Sequence, residues 1–383
     1  MRTGALVIIA ISKEVVKGEK RVSITPDIAE KFVKSGYSVW VEQGAGDLAG
    51  YPDELYSTSG AILIQDRKKL FSECDLLLGI HTPPKEDLLF LKKGAALFCF
   101  LWPLQHPGTV DLLKNQGITA VSMDAVPRIS RAQSMDALSS MSNISGYKAA
   151  LIGAMELDRY LPMMMTAAGT IRPAKVLVLG AGVAGLQAIA TAKRLGAVVE
   201  SYDVRPAVKE QVESLGATFI DIPIDDTDTE TKGGYAKEVS EETKKKQVEV
   251  LHSHVQKSDV VITTALIPGK KAPVLITKTM VGDMKPGSVV VDIAAEQGGN
   301  CELTKAGETV FHNGVKVVGP VNLPSTVAQH ASQMYAKNMH TLLSLYLKEG
   351  SFVVNVSDQI VHESTITHAG ELLSPLVKKD PSS

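Results

Sequence analysis

The strongest local signal for chemistry is a run with the spacing GxGxxG, made of Gly180, Ala181, Gly182, Val183, Ala184 and Gly185. The run follows the apolar stretch Val176–Leu179 and opens the helical pattern Ala184–Leu195, so strand, glycine turn and helix occur in the order of a dinucleotide-binding unit. The first glycine makes the tight turn, the second lets the backbone approach a pyrophosphate, and the third lets the helix pack on the strand. The helix N-terminus offers N–H groups to the phosphates. The run therefore predicts a dinucleotide site, with a turn used only for packing as the alternative.

An acidic residue follows the next predicted strand, Val198–Tyr202. This residue, Asp203, comes 23 residues after Gly180, where a carboxylate accepts hydrogen bonds from ribose hydroxyls. It would repel a 2′-phosphate, so the sequence favours NAD over NADP, although Arg205 can accommodate such a phosphate. A second glycine cluster, Gly44–Gly50, runs directly into a tyrosine and a proline, and we interpret it as a plain loop. We expect the chain to bind one dinucleotide.

A polar segment, Pro127–Asn143, offers side chains that can surround a nicotinamide ring. It contains no His, Lys or Cys, so it lacks the usual proton relay of a dehydrogenase acting on an alcohol or amine. Gln133 and Ser139 can hold the carboxamide, while Arg128 and Asp136 can pair and orient the ring. A capped helix start with a surface ion pair explains the same residues without a ligand, and both interpretations stay open.

The composition argues against several classes of protein. The 383 residues include 40 Lys and Arg against 42 Asp and Glu, and a net charge of −2 lacks the basic excess of a non-specific nucleic-acid binder. Three cysteines without a CxxC pair indicate neither a disulfide framework nor a zinc site, and no histidine pair has metal-ligand spacing, so we expect no metal. No apolar stretch approaches the roughly 20 residues of a membrane-spanning helix. We expect a reduced, intracellular protein without a nucleic-acid partner.

Short apolar runs alternate with longer amphipathic stretches, which predicts parallel sheets covered by helices on both faces. One series precedes the polar segment and one follows it, so we predict two α/β domains with a ligand cleft at their junction. The polar stretch Asp221–Gly234 is expected to be a mobile loop. The predicted strands are Ala5–Ile11, Tyr37–Val41, Asp75–Ile80, Ala95–Leu101, Gly117–Ser122, Val176–Leu179, Val198–Tyr202, Val260–Ala265, Val289–Ile293 and Val315–Val318. The predicted helices are Ile24–Ser35, Tyr147–Tyr160, Ala184–Leu195, Pro206–Leu215 and Ser325–Glu349.

The run Pro127–Ser140 resembles the signature of the NAD(H)-binding alpha subunit of proton-translocating NAD(P) transhydrogenase, and Gly180–Leu195 and Gly287–Cys301 are similar to that family as well. The resemblance implies two Rossmann-like, doubly wound parallel-sheet domains, the NAD-binding one inserted into the other. The outer domain would comprise residues 1–134 and 325–383, and the inserted one residues 135–324. A homodimer held partly by a hairpin within Met163–Pro173 is implied too. So is a mobile loop, about residues 221–238, that closes over the nucleotide with Tyr235 at its tip.

The same resemblance assigns residues to the two ends of the nucleotide. Four would act on the nicotinamide as the catalytic set: Arg128, Gln133, Asp136 and Ser139. Further cofactor contacts in that segment would come from Ile129, Ser130, Arg131, Ala137 and Leu138. The glycine run would hold the phosphates. Contacts at the adenosine end would come from Asp203, Val204, Arg205, Gly234 and Leu266. Tyr235 and Ala265 would be further cofactor contacts.

The implied activity is direct hydride transfer between NAD(H) on this chain and NADP(H) on a partner beta subunit. Membrane-spanning subunits would couple this transfer to proton translocation, with this chain peripheral on the cytoplasmic face of a bacterial inner membrane. The alternative is an alanine dehydrogenase-like amino-acid oxidoreductase, a family of the same fold. That family needs a catalytic His and Lys in the first domain, whereas this chain has Trp102 at the expected place of the His and no Lys in Leu76–Pro84. Only the substrate-binding Arg has a counterpart, Arg21.

Overall fold

The computed structural model describes residues 6–222, 241–267 and 270–378, with 241–247 described by their backbone alone. The chain divides into two compact units: unit 1 comprises Met1–Met141 and Pro324–Ser383, and unit 2 comprises Ser142–Leu323. Unit 2 is therefore an insertion in the sequence of unit 1. Gly234, Tyr235 and the part of the predicted mobile loop beyond Ile222 lie outside the described residues.

The described strands, in chain order, are β1 (Ile8–Ile11), β2 (Ser38–Glu42), β3 (Ile62–Ile64), β4 (Leu76–His81), β5 (Ala96–Phe100), β6 (Thr119–Ser122), β7 (Met164–Thr166), β8 (Gly169–Ile171), β9 (Lys175–Leu179), β10 (Val198–Tyr202), β11 (Thr218–Phe219), β12 (Val260–Thr263), β13 (Val289–Asp292), β14 (Thr309–His312), β15 (Val315–Val318), β16 (Leu347–Lys348), β17 (Ser351–Phe352), β18 (Thr365–His368) and β19 (Glu371–Leu372).

The described α-helices are α1 (Pro26–Lys34), α2 (Asp53–Thr58), α3 (Arg67–Glu73), α4 (Lys85–Leu88), α5 (Pro107–Asn115), α6 (Ala137–Glu156), α7 (Val183–Arg194), α8 (Lys209–Ser214), α9 (Glu241–Lys257), α10 (Lys278–Gly282), α11 (Ala328–Leu343), α12 (Gln359–Ser364) and α13 (Pro375–Lys378). Short 3₁₀-helices lie at Asp47–Ala49, Ser130–Met135, Pro206–Val208, Ala295–Gln297 and Leu323–Val327. Among the residues that the structure describes, no helix is both long and apolar enough to cross a membrane.

Unit 1 contains an eight-stranded sheet with the order β19-β18-β6-β5-β4-β1-β2-β3. The six strands from β6 to β3 run parallel, while β18 pairs antiparallel with β6 and β19 pairs antiparallel with β18. The chain winds outward from β1 in both directions, first to β2 and β3 and later to β4, β5 and β6. The two windings part between β1 and β4, and a sheet of this kind forms a crevice at the carboxyl ends of two such strands.

Unit 2 contains a seven-stranded sheet of the same winding, with the order β11-β10-β9-β12-β13-β15-β14. All neighbours are parallel except β14, which pairs antiparallel with β15. The corresponding parting of the two windings lies between β9 and β12. The turn that carries the glycine run follows β9, so it sits at the point where a doubly wound sheet binds its ligands.

Both faces of the sheet in unit 2 are buried, which is why its strands read as continuous apolar runs. Successive side chains of a strand point to opposite faces. Val176 and Val178 of β9 pack in a cluster with residues of α6 and α7, whereas Leu177 and Leu179 pack in another with residues of α9 and α10. The fold-class prediction of two Rossmann-like doubly wound sheets is confirmed, with the difference that both sheets end in antiparallel edge strands.

One predicted helix begins ten residues earlier than expected. Apolar spacing predicts Tyr147–Tyr160, but α6 spans Ala137–Glu156. The reason is a cap: the Asp136 carboxylate accepts the Ser139 N–H at 2.8 Å, as N-cap residues do. Close packing also shapes this helix, because a Cβ at Gly146 would overlap the Ala184 carbonyl oxygen. The first half of the helix is rich in serine, so apolar periodicity does not reveal it.

The predicted C-terminal helix Ser325–Glu349 is too long. Helix α11 ends at Leu343, and the chain then forms the small hairpin of β16 and β17. Glu349 and Gly350 at the hairpin turn both have positive φ, 47° and 81°, which is incompatible with a continuing right-handed helix.

Candidate dinucleotide site

The glycine turn has the geometry that its sequence predicts. Gly180 has φ 100°, and a Cβ there would lie 2.5 Å from the Thr264 hydroxyl oxygen. A Cβ at Gly185 would overlap the carbonyl oxygen of Gly180. At Gly182, by contrast, the nearest heavy atom to a Cβ would be Arg205 Nη2 at 3.9 Å. Two glycines are thus required for packing, while the second leaves open the space over the backbone that a pyrophosphate needs.

The start of helix α7 faces the same turn. The helix begins at Val183 with Gly182 as its N-cap, and no side chain caps it. Its first N–H groups therefore keep their hydrogen-bonding capacity, and its positive dipole end favours an anion there. Ala181 is buried and Val183 is exposed. These residues fit a bound dinucleotide phosphate.

Asp203, directly after β10, is held firmly. Its Oδ2 accepts the Ala181 N–H at 2.7 Å, and Arg205 donates from its backbone N and its Nε to Oδ1, both at 2.9 Å. A further bond joins Arg205 Nη2 to Oδ2 at 2.8 Å. The guanidinium that could receive a 2′-phosphate is therefore paired with the carboxylate that would repel one. Val204 lies between them, partly buried.

A third segment meets the turn from the end of β12. The Thr264 hydroxyl donates to the Gly180 carbonyl at 3.1 Å, and the N–H of Ala265 donates to Asn300 Oδ1 at 3.0 Å. Leu266 follows with its side chain 39% exposed. The structure thus brings the glycine turn, Asp203 and Ala265 together within unit 2. Thr264 and Asn300 were not singled out from sequence, although a polar residue directly after the strand next to β9 is a usable signal for Thr264.

The segment from Arg128 to Ser139 lies in unit 1, which continues to Met141, and it is organised by two buried residues. Ala132 and Met135 anchor the 3₁₀-helix Ser130–Met135, and Asn338 Nδ2 of α11 holds the Ser134 carbonyl at 2.8 Å. Exposed side chains of the segment are those of Arg128, Ser130, Arg131, Gln133 and Ser134.

Two contacts in this segment involve predicted site residues. Asp136 accepts both the N–H and the hydroxyl of Ser139, at 2.8 and 2.5 Å. Arg131 forms a two-bonded ion pair with Asp358, at 2.7 and 2.9 Å. The arrangement is a capped helix start with an ion pair at its side. Ile129 and Leu138 are partly buried and Ala137 is buried.

Arg21, which the resemblance aligns with a substrate-binding arginine, is paired with a carboxylate of its own unit. Arg21 donates from Nε and Nη2 to the Glu19 carboxylate at 2.8 and 2.6 Å, and His81 Nε2 lies 2.7 Å from Glu19 Oε2. Burial acts to raise the pKa of Glu19, but the bonds from Arg21 and His81 outweigh it and hold that pKa well below its usual range. Trp102 stacks on Phe100 with ring centroids 5.7 Å apart. Arg21 is therefore already neutralised.

Two family models match the chain. They are Alanine dehydrogenase/PNT, N-terminal domain, over residues 10–145, and Alanine dehydrogenase/PNT, C-terminal domain, over residues 149–375. The chain belongs to this family. It is 43% identical over 371 residues to NAD(P) transhydrogenase subunit alpha of Haemophilus influenzae, a match that covers 96% of this chain and 72% of that protein.

Two further relatives are a transhydrogenase and an alanine dehydrogenase, the two kinds of protein after which the family models are named. The crystal structure of transhydrogenase from Sinorhizobium meliloti matches with a TM-score of 0.84 and 40% identity, covering 96% of this chain and 99% of that one. Alanine dehydrogenase of Bacillus subtilis is 30% identical over 332 residues, covering 84% of this chain and 80% of that protein. The resemblance to the transhydrogenase alpha subunit inferred from sequence is confirmed.

Proposed function

We propose that this chain is the NAD(H)-binding component of a proton-translocating NAD(P) transhydrogenase. The single observation that carries the proposal is the geometry of the turn between β9 and α7. There is open space over the backbone of Gly182, no side chain caps the start of α7, and the Asp203 carboxylate is bonded to the same turn. The similarity to transhydrogenase alpha subunits supports it. Hydride would pass directly between NAD(H) on this chain and NADP(H) on a partner beta subunit.

In this proposal the residues of unit 2 bind the nucleotide. Backbone N–H groups from Gly182 to Gly185 hold the pyrophosphate, because the first turn of α7 presents them without a competing cap. Gly180 and Ala181 shape the turn, and their own N–H groups donate to the Tyr202 carbonyl and to the Asp203 carboxylate. The Asp203 carboxylate accepts hydrogen bonds from the adenosine ribose once Arg205 gives up part of its pairing. Val204, Ala265 and the exposed Leu266 border the adenosine end.

The proposal assigns the orientation of the reacting ring to the polar segment that contains Gln133 and Ser139. A bound nicotinamide supplies or accepts hydride, and this transfer between two such rings requires no proton at the reacting carbons. Gln133 and Ser139 hold the carboxamide, and Arg128 and Asp136 fix the ring's orientation. Asp136 also holds the Ser139 hydroxyl in place, through the bond of 2.5 Å. A segment with neither His nor Lys suits positioning rather than acid–base catalysis.

The same proposal includes a homodimer. The hairpin of β7 and β8 exposes Met163, Met165 and Ile171, with 56%, 75% and 45% of each residue accessible. Next to it lies a recess of about 870 Å³ whose lining includes Arg172 and Tyr160. Exposed apolar side chains beside a concave surface are typical of subunit contacts. The remaining partners would be the NADP(H)-binding beta subunit and membrane-spanning subunits, with this chain peripheral on the cytoplasmic face of the inner membrane.

The proposal is tested by mixing the purified chain with an NADP(H)-binding partner of a related transhydrogenase. We expect reduction of an oxidised NAD analogue by NADPH only when both proteins are present, because each would hold one of the two rings. Each protein alone is the control. An alternative assay supplies alanine and NAD without the partner. Rapid NAD reduction there would replace the proposal with the alanine dehydrogenase-like function, which the Glu19-paired Arg21 disfavours.

A substitution separates ring positioning from binding. In Gln133→Ala we expect the rate of transfer to fall about 30-fold while the NADH dissociation constant changes less than about threefold, since the side chain would act on the reacting geometry. Ser134→Ala is the matched control, because Ser134 is an exposed neighbour in the same 3₁₀-helix. Equal losses in rate and affinity would limit Gln133 to a binding role.

A further inference from the structure

The buried side-chain amide of Asn300 makes all of its described hydrogen bonds to the backbone of the loop that follows β12. Asn300 is 0% exposed. Its Oδ1 accepts the Ala265 N–H at 3.0 Å, and its Nδ2 donates to the carbonyl oxygens of Ala265 and Pro273, both at 2.8 Å. One side chain thus closes the base of the loop between Ala265 and Pro273. Because it is buried, it has no surface with which to touch a bound nucleotide.

Asn300 is itself fixed from the core of unit 2. Its N–H donates to Asp292 Oδ2 at 2.7 Å, and its carbonyl accepts the N–H groups of Leu275 and Ile276 at 2.7 and 3.0 Å. Asp292 ends strand β13, is 0% exposed, and also accepts the Thr304 hydroxyl at 2.6 Å. A buried network with its members satisfied is rigid, and breaking one member is costly. The loop base is therefore held at a defined position relative to the sheet.

The path continues to the glycine turn. Ala265 follows Thr264, and the Thr264 hydroxyl donates to the carbonyl of Gly180 at 3.1 Å. A displacement of Ala265 would move Thr264 away from Gly180 and shift Leu266 with it. The contacts therefore run from β13 through Asn300 and Ala265 to the first glycine.

We propose that Asn300 is a positioning residue for the nucleotide site, which fixes Ala265 and Leu266 beside the glycine turn. This inference rests on the proposed NAD(H) site and adds to it a residue that acts only through others. This role requires a carboxamide side chain, because the loop offers one donor, the Ala265 N–H, and two acceptors, the carbonyl oxygens of Ala265 and Pro273. A carboxylate at this position accepts from Ala265 but repels both carbonyl oxygens.

The test is Asn300→Asp, which keeps the side-chain size and removes the two donors. We expect the dissociation constant for NADH, measured by fluorescence at about pH 8, to rise about tenfold. As the pH falls toward about 5, the ratio of variant to wild-type constants should shrink, because a protonated carboxyl can donate one of the lost bonds. Thr304→Val is the matched control: it removes one hydrogen bond from Asp292, which still accepts the N–H groups of Asn300 and Cys301, and it leaves every bond of the Asn300 side chain in place. Any cost of Thr304→Val therefore falls on stability, and its NADH affinity should equal that of the wild type.

The outcomes separate the two ideas. A wild-type chain that does not bind NADH overturns the proposed function, and this inference falls with it. Wild-type binding with an Asn300→Asp constant that matches the control at every pH overturns the positioning role alone. If the variant does not fold, amide exchange of Ala265 in the nucleotide-free wild type decides. Slow exchange supports a fixed loop base, and exchange at the rate of an unstructured amide contradicts it.

Discussion

The sheets of unit 1 and unit 2 have the same strand winding. In each, a backbone N–H just after the first strand donates to a carboxylate at the end of the second strand. In unit 1 the N–H of Lys13, two residues after β1, donates to Glu42 Oε2 at 2.7 Å, and Glu42 ends β2. In unit 2 the N–H of Ala181, two residues after β9, donates to Asp203 Oδ2 at 2.7 Å, and Asp203 follows β10. Each acid is also paired with an arginine. The backbone plan of a dinucleotide crevice is therefore present twice.

The two crevices differ in what occupies them. Unit 2 has Gly182 and open space over the turn. Unit 1 has Glu14 after β1, and its carboxylate accepts the N–H of Ile80 at 2.6 Å and that of His81 at 3.4 Å at the end of β4. Burial raises the pKa of Glu14 to about 7. One crevice thus contains an internal carboxylate where the other has room for an external anion, which shows that the strand-end residues, not the topology, decide what a doubly wound sheet binds.

The internal carboxylate gives the largest expected effect, which is on stability. A carboxyl group whose pKa is raised by folding stabilises the folded state below its unfolded pKa and loses that contribution as pH rises through the folded value. For a pKa raised from 4.5 to about 7, the loss between about pH 4.5 and about pH 8 is about 3 kcal/mol. In Glu14→Gln this pH dependence should disappear. The measurement is the free energy of unfolding of both proteins by urea across that pH range.

The control for this prediction is Glu30→Gln, which neutralises an exposed carboxylate that pairs with Lys34. This variant should keep the fall in stability with rising pH that the wild type shows, because it retains Glu14. Parallel curves for the wild type and Glu14→Gln would show that Glu14 does not hold a proton in the folded chain. The crevice of unit 1 would then hold a negative charge at every pH in this range. It would differ from the crevice of unit 2 by the charge of Glu14 as well as by the space that this side chain occupies.

Features of the two crevices that depend on residues close together in sequence could be predicted. The glycine run and Asp203 were found because the turn and the strand end carry their own residue types, and strand β10 has the predicted bounds Val198–Tyr202. A capped helix start was one of the two interpretations of the polar segment, but the start of α6 was predicted ten residues too late, because apolar periodicity does not register the hydrogen bond from Ser139 to Asp136.

Non-local pairing explains the other omissions. Strand β18 was not predicted because it depends on pairing Thr365 with Val121, far apart in the chain. Asn300 was passed over for the same reason, since its partners Ala265 and Pro273 come from a loop that lies well before it in the chain. Glu14 looked like any polar loop residue, and only the fold places its carboxylate against the end of β4. The sequence therefore predicts candidate site residues that lie close together in the chain, but not side chains such as Asn300 and Glu14, whose hydrogen-bond partners are far from them in the chain.

The open space at Gly182 gives the second prediction. Gly182→Ala should weaken NADH binding about 50-fold, because the methyl group occupies the approach of the pyrophosphate. Its free energy of unfolding should change by less than about 1 kcal/mol, since the new Cβ meets no heavy atom closer than 3.9 Å. Titration calorimetry and urea unfolding measure the two quantities.

Gly108→Ala is the matched control for that change, because Gly108 of α5 in unit 1 also has no heavy atom near its Cβ position. It should alter neither binding nor folding by a measurable amount beyond the usual effect of alanine in a helix. A Gly182→Ala protein that binds NADH like the wild type would mean that the phosphates do not approach this turn. The crevice of unit 2 would then be as closed to a dinucleotide as that of unit 1.

The paired acids give the smallest and sharpest prediction. Asp203→Asn should weaken NADH binding about tenfold, since it loses charge-assisted hydrogen bonds to the ribose. It should weaken NADPH binding less, because it also removes the repulsion of a 2′-phosphate and releases Arg205 to meet that phosphate. Glu42→Gln makes the equivalent change in unit 1, where Arg67 is the paired cation, and should alter neither affinity. If both substitutions changed the NADH constant equally, the effect would come from the strand-end hydrogen bond that both units share and its stability. Only an effect confined to Asp203 separates a carboxylate that recognises ribose from one that merely ties two strands together.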